Sequence, residues 1–305
     1  MKKMIYAAMA VFSMSYSAPA MAQSQDLQTK VNAYFTETLK AQQAVLEKAD
    51  REAFSQNKPS DTKLQLAIKR KDVTGYQKMV WAAWCEANKS LKEEKLMEAE
   101  DLKLAKHSSW NIPACLEPDA VMPYYYGKKG VAADGKYPLF LYVHGSGPKD
   151  HEWENGIQLG LRFKDSPSIY FIPQIPNEGE YYRWWHLSKQ YAFEKLIRQS
   201  MVNGDVDANR LYVFGISEGG YGSQRLASFY ADYWAAAGPM AGGEPLKNAP
   251  VENCANIGFS FLTGADDTGF YRNDLTWYTQ VAFDSVQLAR PLAVDNTPLF
   301  RHRIN

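Results

Sequence analysis

The sequence has little cysteine, no excess of charge and no internal repeat, and each shortage removes a class of protein. Three cysteines in 305 residues, Cys85, Cys115 and Cys254, make no C-x-x-C pair and no zinc spacing. A structural metal site, a dithiol redox motif and a cysteine nucleophile therefore lack their raw material. An oxidising compartment would permit one disulfide among the three, with the pairing open. Lys plus Arg and Asp plus Glu both number 34, for a net charge of +0, and that balance gives no reason to expect nucleic acid or an anionic membrane as partner. No G-x-G-x-x-G follows the first expected strand, which removes the dinucleotide enzymes. No metal and no organic cofactor is expected. What is plentiful is apolar: 46% of residues are hydrophobic and 13% aromatic, with 19 Tyr and 8 Trp. That suffices for a sizeable core, and such rings suit sugars or other planar, amphipathic ligands.

The first residues, MKKMIYAAMAVFSMSYSAPAMAQSQ, run from two lysines through an apolar stretch to Ala20-Met21-Ala22. This order reads as a secretory signal over residues 1–22 with cleavage near Ala22, and no cysteine near that point suggests a lipid anchor. The apolar stretch is broken by serines and too short to span a bilayer comfortably. A secreted or periplasmic chain with no membrane anchor in its mature form is expected. Residues 23–113 read as a helical extension, with no convincing strand up to residue 109. Leu27, Val31, Tyr34 and Leu39 recur at roughly helical spacing, Pro59-Ser60-Asp61 breaks the chain, and Thr62 to Asn88 resumes the period. KSLKEEKLMEAEDLKLAKH then reads as a charged helix with a solvated face.

Residues 114–305 change character. YPLFLYVHG, SIYFIPQIP, RLYVFGIS, WAAAGPMAGG and IGFSFLTGADD are apolar runs separated by helical stretches such as QYAFEKLIRQSMVNG. Continuous apolar strands alternating with helices predict a mostly parallel sheet covered on both faces.

Two motifs carry chemistry. Gly215-Ile216-Ser217-Glu218-Gly219 fits G-x-S-x-G, with a strand running into the serine and the helical GGYGSQRLASFYADY leaving it. A nucleophile held in so sharp a turn tolerates only small neighbours, and the helix N-terminus turns free N–H groups and a favourable dipole toward the reacting oxygen. His144-Gly145-Ser146-Gly147-Pro148 follows the strand PLFLYV. Acyl transfer needs two N–H donors for its oxyanion, and a glycine-rich loop lets backbone come close enough to give one, from Ser146 or Gly147. The amide of Glu218 would give the other. His144 reads as a residue that orients this loop rather than as a general base.

Together, HGSGP and GISEGG resemble the α/β-hydrolase fold over residues 114–305, and within it exported esterases similar to polyhydroxyalkanoate depolymerases and feruloyl or acetyl-xylan esterases. The resemblance implies a serine esterase without cofactor, acting on a carboxylic ester that a polysaccharide could carry. It also implies the chain order serine, acid, histidine. The acid would be Asp267, three positions after Gly264, with Asp266 in reserve. His302 is the histidine that follows Asp267, but FRHRIN reads as a strand and a catalytic imidazole needs a loop that leans over the serine. The expectation is therefore a catalytic domain incomplete at its C-terminus, with the base beyond Asn305. In PNEGEYYRWWHLSKQ, Tyr182, Trp184 and Trp185 offer a stacking wall for substrate, with Trp153 at its rim. A serine peptidase of the same fold and a carbohydrate-binding protein that lacks its base are the competing functions.

Overall fold

The computed structural model of the protein describes residues 18–52, 68–289 and 302–304. The chain divides into two compact units, Met1–Ala44 with Asn57–Leu91 and Val45–Gln56 with Lys92–Asn305. The basic and apolar parts of the expected export signal, and the Pro59-Ser60-Asp61 break, lie outside the described residues. The first unit is helical: it holds most of α1 (Ala18–Glu47) and all of α2 (Val73–Lys89). Ala83 and Ala87, one turn apart on α2, are buried. Among the described residues no helix is long and apolar enough to cross a membrane.

The second unit is built on a nine-stranded sheet. Its strands are β1 (Glu100–Asp101), β2 (His107–Asn111), β3 (Val121–Lys129), β4 (Tyr137–Val143), β5 (Ser168–Pro173), β6 (Val206–Ile216), β7 (Ala236–Met240), β8 (Gly258–Phe261) and β9 (His302–Ile304). Their order is β1-β3-β5-β4-β6-β7-β8-β9, with β2 also on β3. The β2–β3 and β3–β5 pairs are antiparallel and the others parallel. Parallel neighbours need crossovers. Helices α3 (Lys149–Arg162), α4 (Leu187–Asn203), α5 (Glu218–Phe229) and α6 (Arg272–Ala289) supply them after β4, β5, β6 and β8. The strand order reverses at β4, whose next strand in sequence lies on one side and β6 on the other. Such a switch point opens a crevice at the C-terminal ends of the strands. Here Val143, the last residue of β4, pairs with Gly215, two residues before Ser217. This is the α/β-hydrolase fold that the two motifs implied.

Strand periodicity sorts the core. Leu139, Leu141 and Val143 of β4, Ile169 and Phe171 of β5, and Leu211 and Val213 of β6 alternate onto one face and are at most 1% exposed. Farther along the sheet, Phe283 of α6 packs on Phe259 and Phe261 of β8. On the opposite face α3 lies against Tyr142 and Ile172 so tightly that a Cβ at Gly156 would come within 2.9 Å of Ile172. Beyond α3 on that face, Phe140, Tyr170, Tyr212 and Phe214 line an apolar cavity of about 560 Å³.

The stretch after Lys89 departs from expectation. KSLKEEKLMEAEDLKLAKH forms no α-helix; it runs in irregular conformation to β1, and β2 then joins the sheet edge against β3. Tertiary contacts decide this. Leu96 and Leu102 are buried, worth roughly 1.5–3 kcal/mol each, against helix propensities that differ by only a few tenths of a kcal/mol per residue. Gln199 of α4 accepts from the Leu96 N–H at 2.5 Å and donates to the Glu94 carbonyl at 2.9 Å, and Arg198 pairs with Glu93 at 2.9 Å. The sheet-bearing unit thus starts well before residue 114, and the expectation of strand-free chain to residue 109 is corrected.

The first turn of α5 rests directly on the end of β4. A Cβ at Gly219 would collide with the Val143 carbonyl oxygen and stand 2.8 Å from the His144 oxygen, both backbone atoms that cannot step aside. A Cβ at Gly75 of α2, by contrast, would have nothing within 4 Å. Gly219→Ala is expected to lower stability by about 1–3 kcal/mol or more through overpacking, whereas Gly75→Ala raises the stability of its helix by about 0.5–1 kcal/mol. Urea denaturation of the two variants beside the parent checks both signs.

Candidate active site

Ser217 sits between β6 and α5 with φ 53° and ψ −116°. A non-glycine residue adopts this backbone only under constraint, at a cost of about 1–3 kcal/mol. The constraint is visible on both sides. The Ser217 N–H donates to the Met240 carbonyl at 2.9 Å, and its own carbonyl accepts from Tyr221 N–H at 3.0 Å. Gly215 faces the Val143 oxygen, Gly220 the Met240 oxygen, and Gly222 the Trp184 side chain, where a Cβ would approach to 2.6 Å. Glycine at these positions lets the helix come close enough to force the turn. Ser217 is partly exposed, and among the described residues no partner of its Oγ is found.

The loop after β4 lies beside this turn, because Val143 and Gly215 are paired. His144 is fully buried. Its Nε2 accepts from the Ile175 N–H at 3.1 Å, so the ring proton is on Nδ1, which donates to the Gly145 carbonyl at 2.7 Å. Burial holds the imidazole's pKa down to about 4. A ring with both nitrogens engaged on backbone cannot take a proton from Ser217, and the loop-orienting reading of His144 fits this geometry. The Gly145 N–H donates to Glu152 of α3 at 3.2 Å. Among the described residues no acceptor is found for the N–H groups of Ser146, Gly147 and Glu218. Glu218 is the first residue of α5, where an N–H has no intrahelical partner.

The aromatic loop serves this frame rather than a substrate wall. Trp184 is 0% and Tyr182 7% exposed. Trp184 Nε1 donates to the His144 carbonyl at 2.8 Å, and the one proton of the Tyr182 hydroxyl goes to the Gly145 carbonyl at 2.7 Å, with the Gly147 carbonyl 3.0 Å away to share it. Rings so buried cannot stack on a ligand, and their placement as substrate contacts is corrected. Trp153, on α3, stacks on Tyr125 at 4.2 Å and donates to the Ile172 carbonyl at 2.8 Å, a packing role at the far side of the sheet. Trp185 is half-buried, with the Arg225 guanidinium 3.9 Å over its ring. The Glu218 side chain, 12% exposed, has its Oε1 3.6 Å from Arg183 but hydrogen-bonded to nothing described, and burial raises its pKa. The exposed rings beside the acid loop are Phe270 and Tyr271, both with positive φ, which alternation alone did not single out.

Asp267 lies on the loop after β8, two strands past β6. Its Oδ1 accepts from Arg272 at 3.2 Å, and Arg272 Nε donates to the Tyr221 hydroxyl at 3.1 Å. Asp266 is exposed. His302 stands elsewhere. It pairs with Phe259, Phe259 with Ala237, and Ala237 with Val213, four residues before Ser217. Three strand spacings across and four residue rises along put its Cα roughly 19 Å from that of Ser217, beyond the reach of an imidazole. Of the remaining histidines, His107 is on β2, exposed His151 bonds Asn155 on α3, and His186 precedes α4. Cys85, Cys115 and Cys254 are unpaired, and burial pushes the Cys254 thiol up to about 12. Among the described residues no cluster of metal-ligating side chains occurs.

The depressed pKa of His144 sets a pH dependence. An unfolded imidazole protonates near 6.5 and the folded one near 4, so the unfolded chain binds the extra proton between those values. The contribution is fully present above about pH 6.5 and is lost as pH falls to about 4, on the order of 3 kcal/mol in all. In urea titrations the parent should lose stability over that window, while His144→Asn, weaker at pH 7, should lack that part of the slope. Equal slopes would remove His144 as the titrating group.

No family model and no curated protein matches the chain. Solved structures do. A thermostable esterase is 20% identical, with 65% of this chain and 54% of that one covered at a TM-score of 0.47. A candidate dipeptidyl aminopeptidase IV from Bacteroides ovatus is 14% identical, with 66% and 32% covered at 0.47. An acetyl xylan esterase from Aspergillus awamori is 13% identical, with 59% and 80% covered at 0.42. The chain spans just over half the length of the first and about a third of the second.

Proposed function

We propose that the protein is an exported serine hydrolase of carboxylic esters. The observation that carries this is Ser217, held at φ 53° on a glycine-walled strand-to-helix turn beside a loop with unbonded amides. In this reading Ser217 Oγ attacks the ester carbonyl while its proton passes to a base. The oxyanion is held by the Glu218 amide and one from Ser146 or Gly147, and the collapsing intermediate releases the alcohol, which leaves with a proton. Water then attacks the acyl-enzyme and frees the acid. Asp267 orients the base through the oxygen that Arg272 leaves free. The reading of residues 1–22 as an export signal supports a secreted or periplasmic site of action. Phe270, Tyr271 and Trp185 would border the substrate in place of Tyr182 and Trp184.

A second reading has its own observation. His302 lies roughly 19 Å away by strand spacing, and His144, in the loop beside the turn, has both ring nitrogens engaged on backbone. A binding protein on this frame would need no base, whereas an esterase needs one within hydrogen-bond reach of Ser217.

Chemical rescue separates the two. A fluorophosphonate should label the full chain at Ser217, faster when millimolar imidazole stands in for a base. Labelling should vanish in Ser217→Ala and be unchanged in His302→Ala. A folded chain that stays unlabelled with imidazole present would favour the binding protein, and loss of labelling in His302→Ala would overturn the placement of His302.

A further inference from the structure

We infer that Tyr182 is a positioning residue that fixes the Ser146 amide, rather than that of Gly147, as the second oxyanion donor. This rests on the esterase reading above and adds to it a choice that the motif leaves open.

The argument is one of peptide planarity. In a trans peptide the C=O and the following N–H point in opposite directions from one rigid plane. Pinning a carbonyl therefore aims the next residue's amide. Two carbonyls of the loop after β4 are pinned, those of His144 and Gly145. The His144 carbonyl accepts from Trp184 Nε1 at 2.8 Å, which turns the Gly145 N–H the other way, and it is found on Glu152 at 3.2 Å. The Gly145 carbonyl takes two donors, the Tyr182 hydroxyl at 2.7 Å and His144 Nδ1–H at 2.7 Å. That holds the Ser146 N–H pointing away from the buried network. The Gly147 carbonyl lies 3.0 Å from the same hydroxyl and can only share its one proton with Gly145, and the residue that follows is Pro148, with no N–H to aim. The peptide before Gly147 has no such clamp: among the described residues no donor to the Ser146 carbonyl is found. Ser146 thus presents the preorganised amide and Gly147 a free one, and preorganisation is what makes an oxyanion donor effective.

Tyr182 suits this role chemically. Its hydroxyl is buried, and burial together with the carboxylates of Glu152, Glu178 and Glu218 raises its pKa, so it stays a donor. Trp184, two residues on, adds the clamp on His144, which makes one short segment before α4 the template for the loop.

The test uses the full chain with Tyr182→Phe, which removes only the hydroxyl, and with 3-fluorotyrosine substituted for Tyr182, which keeps the ring and sharpens the donor. Two quantities are read: the fluorophosphonate reaction in imidazole, resolved into saturating rate and half-saturating concentration, and the backbone amide resonances of Ser146 and Gly147. Tyr182→Phe should lower the saturating rate about tenfold or more, leave the half-saturating concentration within about twofold, and shift or split the Ser146 resonance while Gly147 changes little. The fluorotyrosine chain should keep its rate near the parent's and still move the Ser146 resonance. If the parent is unreactive, the esterase reading fails, and the amide resonances alone decide the role of Tyr182. Should Tyr182→Phe not fold, the fluorotyrosine chain decides. An unmoved Ser146 resonance with an unchanged rate, or a shift confined to Gly147, overturns the proposal.

Discussion

The van der Waals contact between the first turn of α5 and the carbonyl end of β4 is the constraint on which the site depends. Two backbones approach there with no side chain between them, because Gly215 and Gly219 face the Val143 carbonyl. That proximity bends the chain sharply enough to drive Ser217 to φ 53°, and the hydrogen bond from its N–H to Met240 helps to offset the strain. The same contact fixes how far the glycine-rich loop stands from the serine, since the loop begins one residue after Val143. A methyl group at Gly219 would disturb Ser217 and the glycine-rich loop together.

Around that contact the polar atoms of buried side chains act on backbone rather than on one another. His144, Tyr182 and Trp184 each spend a ring N–H or hydroxyl on a loop carbonyl, and His144 also accepts from Ile175. Buried polar groups must be satisfied, and here their satisfaction sets the orientation of the peptides of the loop after β4. Farther back, Lys189 of α4 and Glu117, both fully buried, form an ion pair, and Lys189 also donates to the Tyr181 carbonyl at 2.8 Å. The aromatic segment is thereby tied to the loop that precedes β3.

Much of this was legible in the sequence. Five apolar runs correspond to β4 to β8, because parallel strands buried on both faces need continuous apolar sequence, and the glycines around Ser217 announced the turn they permit. Asp267 stands on the loop after β8, where chain order had put the expected acid. The stretch after Lys89 was not legible: Leu, Glu and Lys favour helix locally, while the bonds that hold it extended come from Glu93, Glu94 and Leu96 to α4, about a hundred residues away. Tyr182 and Trp184 misled for a related reason. Their composition says amphipathic ring, and whether the polar tip meets a ligand or a loop carbonyl is decided by segments distant in sequence. The placement of His302 needed the register of β6 to β9, which no local pattern supplies.

The clamps on the glycine-rich loop have a kinetic side. They join His144 to Ile175, Tyr182 and Trp184 across 31 to 40 residues, and Glu117 to Lys189 across 72. Contacts of such sequence separation close large loops and form slowly, after local helices and neighbouring strands. A nascent or partly unfolded chain would thus carry Ser217 as an ordinary alcohol in a flexible segment. The strained turn and the clamped loop would arrive together as one of the last events of folding, so that, on the esterase reading proposed above, covalent labelling of the serine would report completion of the tertiary structure more faithfully than any measure of helix content.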